Sequence, residues 1–133
     1  MRLISDTALA AVTIWREARG EVYEGKLAVA EVIRNRMKER YASDGTIAGT
    51  VMRPKQFSGW NSNDPNRIPS LKIDDGDQAV ADCVRAWKEA MEQNTNSVKG
   101  ALLYYAPALA APEWARGCME AARIGRHVFL RPR

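Results

Sequence analysis

The sequence predicts a mainly α single domain, spanning residues 1–133, with a minor β element near its C-terminal end. Apolar residues recur at helical spacing in three separate stretches, residues 8–18, 23–40 and 77–93. β-branched and aromatic residues cluster around Gly125, in Arg123-Ile124-Gly125-Arg126-His127-Val128-Phe129-Leu130, the pattern of a turn into a short strand. With 133 residues and 46% hydrophobic content, the chain is long enough for one core without extensive cross-linking.

In the first stretch, Ala8, Ala11, Val12, Trp15 and Ala18 follow i, i+3, i+4, i+7 spacing. Ser5 or Asp6 is available as N-cap, and Gly20 supplies a stop that ends the helix at Arg19 or Gly20. The second helix carries Leu27, Val29, Ala30, Val32, Ile33 and Met37 among charged residues, which predicts one apolar face. Asn35 within it is either a surface amide or a buried group that braces the end of the first helix. A short apolar stretch at 47–52 leads into Arg53-Pro54-Lys55-Gln56-Phe57-Ser58-Gly59-Trp60-Asn61 and then Asn63-Asp64-Pro65-Asn66-Arg67-Ile68-Pro69. Prolines, Gly59 and the asparagines make this a long loop, and long loops in small domains often carry function. Aromatic faces beside amides suit sugars, whose rings offer apolar C–H faces and hydroxyl edges together. Phe57 and Trp60 serve equally well as plugs onto the core. The third helix places Val80, Val84, Trp87 and Met91 on one face, with Ala81, Cys83 and Ala90 as small fillers. After Gly100, Ala101-Leu102-Leu103-Tyr104-Tyr105-Ala106-Pro107 is too short for a typical helix and reads as an extended segment lining a groove. Neighbours on such a segment point to opposite sides, so Tyr104 and Tyr105 cannot both face that groove.

Composition excludes several chemistries. Cys83 and Cys118 lack the spacing of a zinc site and are read as buried free thiols, with a single disulfide as the alternative. His127 is the single histidine, which rules out a multi-histidine metal cluster and disfavours a Ser-His-Asp triad. His127 itself is assigned a structural hydrogen bond rather than a catalytic step. An enzyme built from these residues works with carboxylates and without cofactor or metal. The charge of +4 and pI near 9.3 suit a polyanionic partner, whether nucleic acid, an anionic membrane surface or wall polymers. No signal-peptide core follows Met1-Arg2-Leu3, and no run approaches the roughly 20 apolar residues of a membrane span. The chain is therefore expected to be made in the cytoplasm.

Glu17 is the prime candidate for a chemical role. It sits in the last turn of the first helix, facing the negative end of the helix dipole, with Trp15 beside it in sequence. Both surroundings disfavour the ionised carboxylate, as a general acid at neutral pH requires. Arg16 and Arg19 act in the opposite sense, and the local pattern alone also fits a solvated ion pair.

The blocks Glu17-Ala18-Arg19-Gly20-Glu21, Tyr23-Glu24-Gly25 with Ala28-Val29-Ala30 and Val32-Ile33-Arg34-Asn35-Arg36, Gln56-Phe57-Ser58, Tyr104-Tyr105 with Pro107, Pro112-Glu113-Trp114-Ala115 and Arg123-Ile124-Gly125-Arg126-His127-Val128-Phe129 occur in this order over residues 8–131. Together they make the chain resemble the SleB-type cell wall hydrolases, a family of spore cortex-lytic enzymes and phage or prophage endolysin relatives. The resemblance implies a compact lysozyme-like fold and cleavage of the β-1,4 bond between N-acetylmuramic acid and N-acetylglucosamine in peptidoglycan. It assigns the catalytic acid to Glu17, with Glu21 as runner-up or as a group that holds the loop or positions a water. Gln56, Phe57, Ser58, Tyr104 and Tyr105 become the candidate glycan-binding residues. Because a hydrolase normally uses two carboxylates and a lytic transglycosylase can work with one, transglycosylation is favoured over a muramidase-type hydrolysis. The expected partner is the glycan strand, met by a monomer that binds no nucleic acid. Secreted members of the family carry a leader and often a wall-binding domain, so a phage-type lysin released through a holin-type pore, or an isolated catalytic domain, is expected. From a different class, a basic non-catalytic module binding wall polymers or nucleic acid is the alternative; it would be salt-sensitive and indifferent to Glu17→Gln.

Overall fold

The computed structural model describes residues 5–53 and 78–133. Helix α1, Asp6–Ala18, is capped by Ser5, whose hydroxyl accepts the Ala8 N–H at 3.2 Å. It stops where Gly20 turns to φ +85° and the Glu21 N–H bonds back to the Ala18 carbonyl at 3.0 Å. Its buried face is Leu9, Ala10, Ala11, Thr13, Ile14 and Ala18, rotated from the expected stripe: Ala8 is exposed and Trp15 only half-buried. Alanines mark a face weakly, and the larger Leu9 and Ile14 take the interior.

Helix α2, Tyr23–Glu39, ends on Arg40 in the left-handed region, whose N–H reaches the Arg36 and Met37 carbonyls. Instead of one apolar face it is buried almost all round, from Gly25 through Arg36 apart from Leu27. It runs through the middle of the molecule. Val29, Ala30 and Ile33 pack with α1, the short helix α3 (Ile47–Val51) and helix α4 (Gln78–Glu92), while Ala28 and Val32 pack with Val98, Ala101 and Phe129. Helix α4 matches its expected span closely, burying Cys83, Ala86, Trp87 and Ala90; Met91 lies outside, 44% exposed.

The polar residues of α2 fasten the chain that follows α4. Glu31 Oε1 accepts the Val98 N–H at 3.0 Å and the Ser97 hydroxyl at 2.8 Å. Asn35 Nδ2 donates to the Ala101 carbonyl at 3.0 Å, and Arg36 Nε to that of Leu102 at 2.6 Å. Asn35 is therefore buried and hydrogen-bonded, but it braces the approach to the sheet rather than the end of α1. Paired in this way, polar groups in a low-dielectric interior fix geometry where unpaired ones would destabilise it.

The segment read as extended contains strand β1, Leu103–Tyr105, edge of a three-stranded antiparallel sheet ordered β1-β3-β2. A 3₁₀ turn, Glu113–Gly117, precedes β2, Cys118–Ile124, and β3 is His127–Pro132. Tyr104 pairs with Phe129, and Ile124 with His127 across a two-residue turn in which Gly125 adopts φ +58°. Glycine at the first central position is what a tight hairpin of this type needs. Cys83 is buried and Cys118 half-buried, and neither forms a disulfide. No described helix is long and apolar enough to cross a membrane.

Candidate active site

Glu17 and Tyr104 meet where the end of α1 faces the sheet. The Tyr104 hydroxyl donates a short hydrogen bond to Glu17 Oε1. Burial first, then the charge of Glu17 and the bond to it, push the Tyr104 hydroxyl well above its ordinary value of 10, so it stays a proton donor throughout the physiological range. Arg36, pinned at the Leu102 carbonyl and 4% exposed, acts on the same pair; burial pulls its guanidinium down, and the charges of Tyr104, Tyr41 and Glu17 oppose that pull.

Tyr104 is itself positioned by rings. His127 lies edge-on to it, centroids 5.2 Å apart, and Phe129 packs at 5.6 Å. Such aromatic contacts orient a ring beyond what area burial does. Tyr105 points the other way, edge-on to Trp114 at 6.2 Å. Of the two tyrosines, then, Tyr104 carries the hydroxyl that reaches Glu17, as the alternation of an extended strand requires.

Glu21 lies at the α1–α2 junction with its side chain only 4% exposed. Its Oε1 accepts the Arg126 backbone N–H at 3.0 Å and lies 3.1 Å from His127 Nδ1, a close contact that lacks the alignment of a full hydrogen bond. Its Oε2 accepts Arg126 Nε at 3.3 Å. Close packing around this carboxylate explains two glycines: a Cβ on Gly25 would sit 3.0 Å from the Glu21 Cβ, and one on Gly125 would sit 3.0 Å from Oε2. The hairpin turn is thus tied to the helix junction through one buried carboxylate. His127 is held below its ordinary 6.5, by burial first; Glu21 raises it and Arg126 lowers it. It is a neutral imidazole at pH 7.

A cavity of about 230 Å³ opens beside these groups, lined by Glu17, Glu21, His127 and Arg126, by Arg19, and by the apolar Ala106, Ala108 and Leu109. Tyr104 also borders a second cavity of about 360 Å³ with Arg36, Tyr41 and Trp114. Gln56, Phe57 and Ser58, the remaining sequence candidates, lie outside the described residues. Arg36 and Arg126 are not among the site residues expected from the sequence, where they stand out only as members of the family-like blocks and as basic residues.

Chemically, a carboxyl at a cavity with a neutral hydroxyl fixing one oxygen is equipped to give and take a proton. The comparisons with known proteins agree with that class of chemistry. A family model described as Cell Wall Hydrolase matches residues 20–130. The spore cortex-lytic enzyme of Bacillus subtilis (strain 168) is 31% identical over 125 residues, 94% of this chain and 37% of that protein. That of Oceanobacillus iheyensis is 31% identical over 127 residues, 96% of this chain and 42% of that protein. The chain thus spans about two fifths of the length of these relatives. Among solved structures, the catalytic domain of the germination-specific lytic transglycosylase SleB from Bacillus anthracis superposes with a TM-score of 0.73 at 25% identity, covering 95% of this chain and 93% of that one. The mainly helical, lysozyme-like architecture expected from the sequence is the one found.

Proposed function

The chain belongs to the cell wall hydrolase family, and from that premise we propose that it is a lytic transglycosylase that cleaves the β-1,4 bond between N-acetylmuramic acid and N-acetylglucosamine with Glu17 as the one catalytic carboxyl. The observation that carries this reading is the contrast between the two glutamates of the cavity. Glu17 lies at the cavity with the neutral Tyr104 hydroxyl donating to its Oε1, whereas both oxygens of Glu21 accept hydrogen bonds from Arg126, with His127 Nδ1 3.1 Å from one of them. A carboxylate so engaged is poorly placed to activate water or attack an anomeric carbon, which argues against a two-carboxylate hydrolase.

In this mechanism protonated Glu17 gives its proton to the glycosidic oxygen as the bond from the muramic C1 to that oxygen breaks. The leaving N-acetylglucosamine departs with a 4-hydroxyl. Positive charge developing at C1 is met by the substrate's own acetamido group. The Glu17 carboxylate then takes the proton from the muramic C6 hydroxyl while O6 bonds to C1, which closes a 1,6-anhydro ring and returns the acid to its starting state. No water is consumed. Tyr104, by donating to Oε1, orients the carboxyl for both proton transfers.

The setting belongs to the same proposal: a phage or prophage lysin acting as a monomer on glycan strands, without nucleic acid, and reaching the wall through a holin-type pore. The net charge of +4 supports attraction to an anionic wall. Expression inside a bacterium with and without a pore-forming protein tests it, lysis being expected only with the pore. The activity is tested by mass spectrometry of products released from purified peptidoglycan by the wild-type chain and by Glu17→Gln. Anhydro-muramic products that vanish in the variant support the proposal. Reducing-end products would instead indicate a muramidase-type hydrolase, and release of nothing would favour a binding module.

A further inference from the structure

Building on the glycosidase reading above, we infer that the cavity beside Glu17 contains an anion subsite, formed by the guanidiniums of Arg126 and Arg19, that takes the lactyl carboxylate of N-acetylmuramic acid.

The hairpin and the helix junction bring the two cations to one rim. A Cβ on Gly20 would lie 3.0 Å from Arg126 Nη2, so the Arg126 guanidinium rests against the backbone next to Arg19. Its Nε edge is turned inward to Glu21 Oε2 at 3.3 Å, while the side chain as a whole remains 66% exposed. Arg19 is held from the other side, its guanidinium 4.8 Å from the centroid of the Trp15 ring. Both therefore border the cavity in defined positions. Planar guanidiniums match carboxylates in geometry as well as charge.

Another part of the lining is apolar. Ala106, Ala108 and Leu109 face the same space, and Leu109 is 87% exposed. A ligand that satisfies both parts carries a carboxylate next to a small apolar group. The lactyl ether of muramic acid carries a carboxylate and a methyl on the same carbon, and N-acetylglucosamine carries neither. A cavity of about 230 Å³ has room for this group. Since a stem peptide converts the lactyl carboxylate to an amide, the subsite selects muramic residues whose carboxylate is bare.

The test uses three substrates: glycan strands stripped of stem peptides by an amidase, the same strands with their carboxylates converted to neutral amides, and intact peptidoglycan. For the wild-type chain, KM on stripped strands is expected to be about tenfold below that on amidated strands, with the advantage shrinking as salt rises. In Arg126→Gln the ratio of the two KM values should collapse toward one; Arg126→Lys should recover part of it, and Arg19→Gln should lower it. A wild-type ratio of one, or a ratio that survives in Arg126→Gln, overturns the subsite. Equal KM on intact and stripped strands overturns the lactyl assignment by placing the carboxylate on the peptide. Calorimetric binding of stripped and amidated strands to Glu17→Gln supplies the same comparison without turnover. Absence of products from the wild type would therefore overturn the glycosidase reading alone, and the binding ratio would still decide the subsite.

Discussion

Tyr104 donates its hydroxyl to Glu17 Oε1 across 87 residues of chain, joining the end of the first helix to the edge strand of the sheet. Replacing Tyr104 with Phe keeps the ring contacts with His127 and Phe129 and removes only this bond. Hydrogen bonds to an ionisable partner contribute about 1.5–3 kcal/mol, so kcat should fall about 10- to 100-fold. KM should change by less than about threefold, because the bond orients the acid rather than the glycan. Steady-state kinetics on solubilised strands separates the two; an unchanged kcat would remove Tyr104 from the machinery.

Glu17→Gln should lose turnover by about 10²- to 10⁴-fold, the usual contribution of a positioned general acid. The amide is isosteric and half-exposed, so Tm should stay within about 3 °C of wild type. Product release and thermal unfolding on the same preparation check both halves. Activity close to wild type would refute the assignment.

Glu21 predicts the reverse pattern. Glu21→Ala leaves the Arg126 N–H without its acceptor and opens a void under the hairpin, at a cost of about 2 kcal/mol in chemical denaturation. Glu21→Gln keeps one carbonyl oxygen for that N–H and should cost about half as much while retaining measurable turnover. Complete loss of activity in a well-folded Glu21→Gln would move the second carboxylate back into the reaction.

His127 sets a pH dependence of stability. Its folded value lies below the unfolded 6.5, because burial disfavours the imidazolium. Below pH 6.5 the unfolded chain therefore binds more protons than the folded one, so this contribution is fully present above 6.5 and is lost as pH falls toward the folded value. Denaturation midpoints for the wild type and His127→Asn between pH 7.5 and 5 should converge as pH drops. A parallel decline in both proteins would exclude His127 as the source.

Much of the fold is legible in the sequence, and the exceptions have physical causes. The spans of α1, α2 and α4 follow from spacing and caps, and the turn at Gly125 from its neighbours. The buried face of α1 does not, because alanines at 8, 10, 11 and 18 give almost no contrast. The central position of α2 is hidden by Glu31, Arg34, Asn35 and Arg36, which locally resemble a solvated face and find their long-range partners only once α4 and the segment after it fold over them. The partnership of Glu17 and Tyr104 is beyond any periodicity argument. It depends on which residue of β1 faces inward, and alternation narrowed that to one of two tyrosines without choosing between them. Glu21, within the same motif as Glu17, reads from the sequence either as a runner-up catalyst or as a group that holds the loop; its partners Arg126 and His127 lie about a hundred residues away.

Among the described residues, Tyr104 is the one partly buried hydrophobic side chain that packs against both buried clusters, the one shared by α1, α2, α3 and α4 and the one between α2 and the sheet. Its hydroxyl reaches Glu17 only while the two are joined. Any partly unfolded species in which the sheet has parted from the helices keeps its glutamate but lacks the group that aims it. On the proposed mechanism, full activity therefore depends on the sheet being docked on the helices, and a chain in which they have parted works with an unaimed acid.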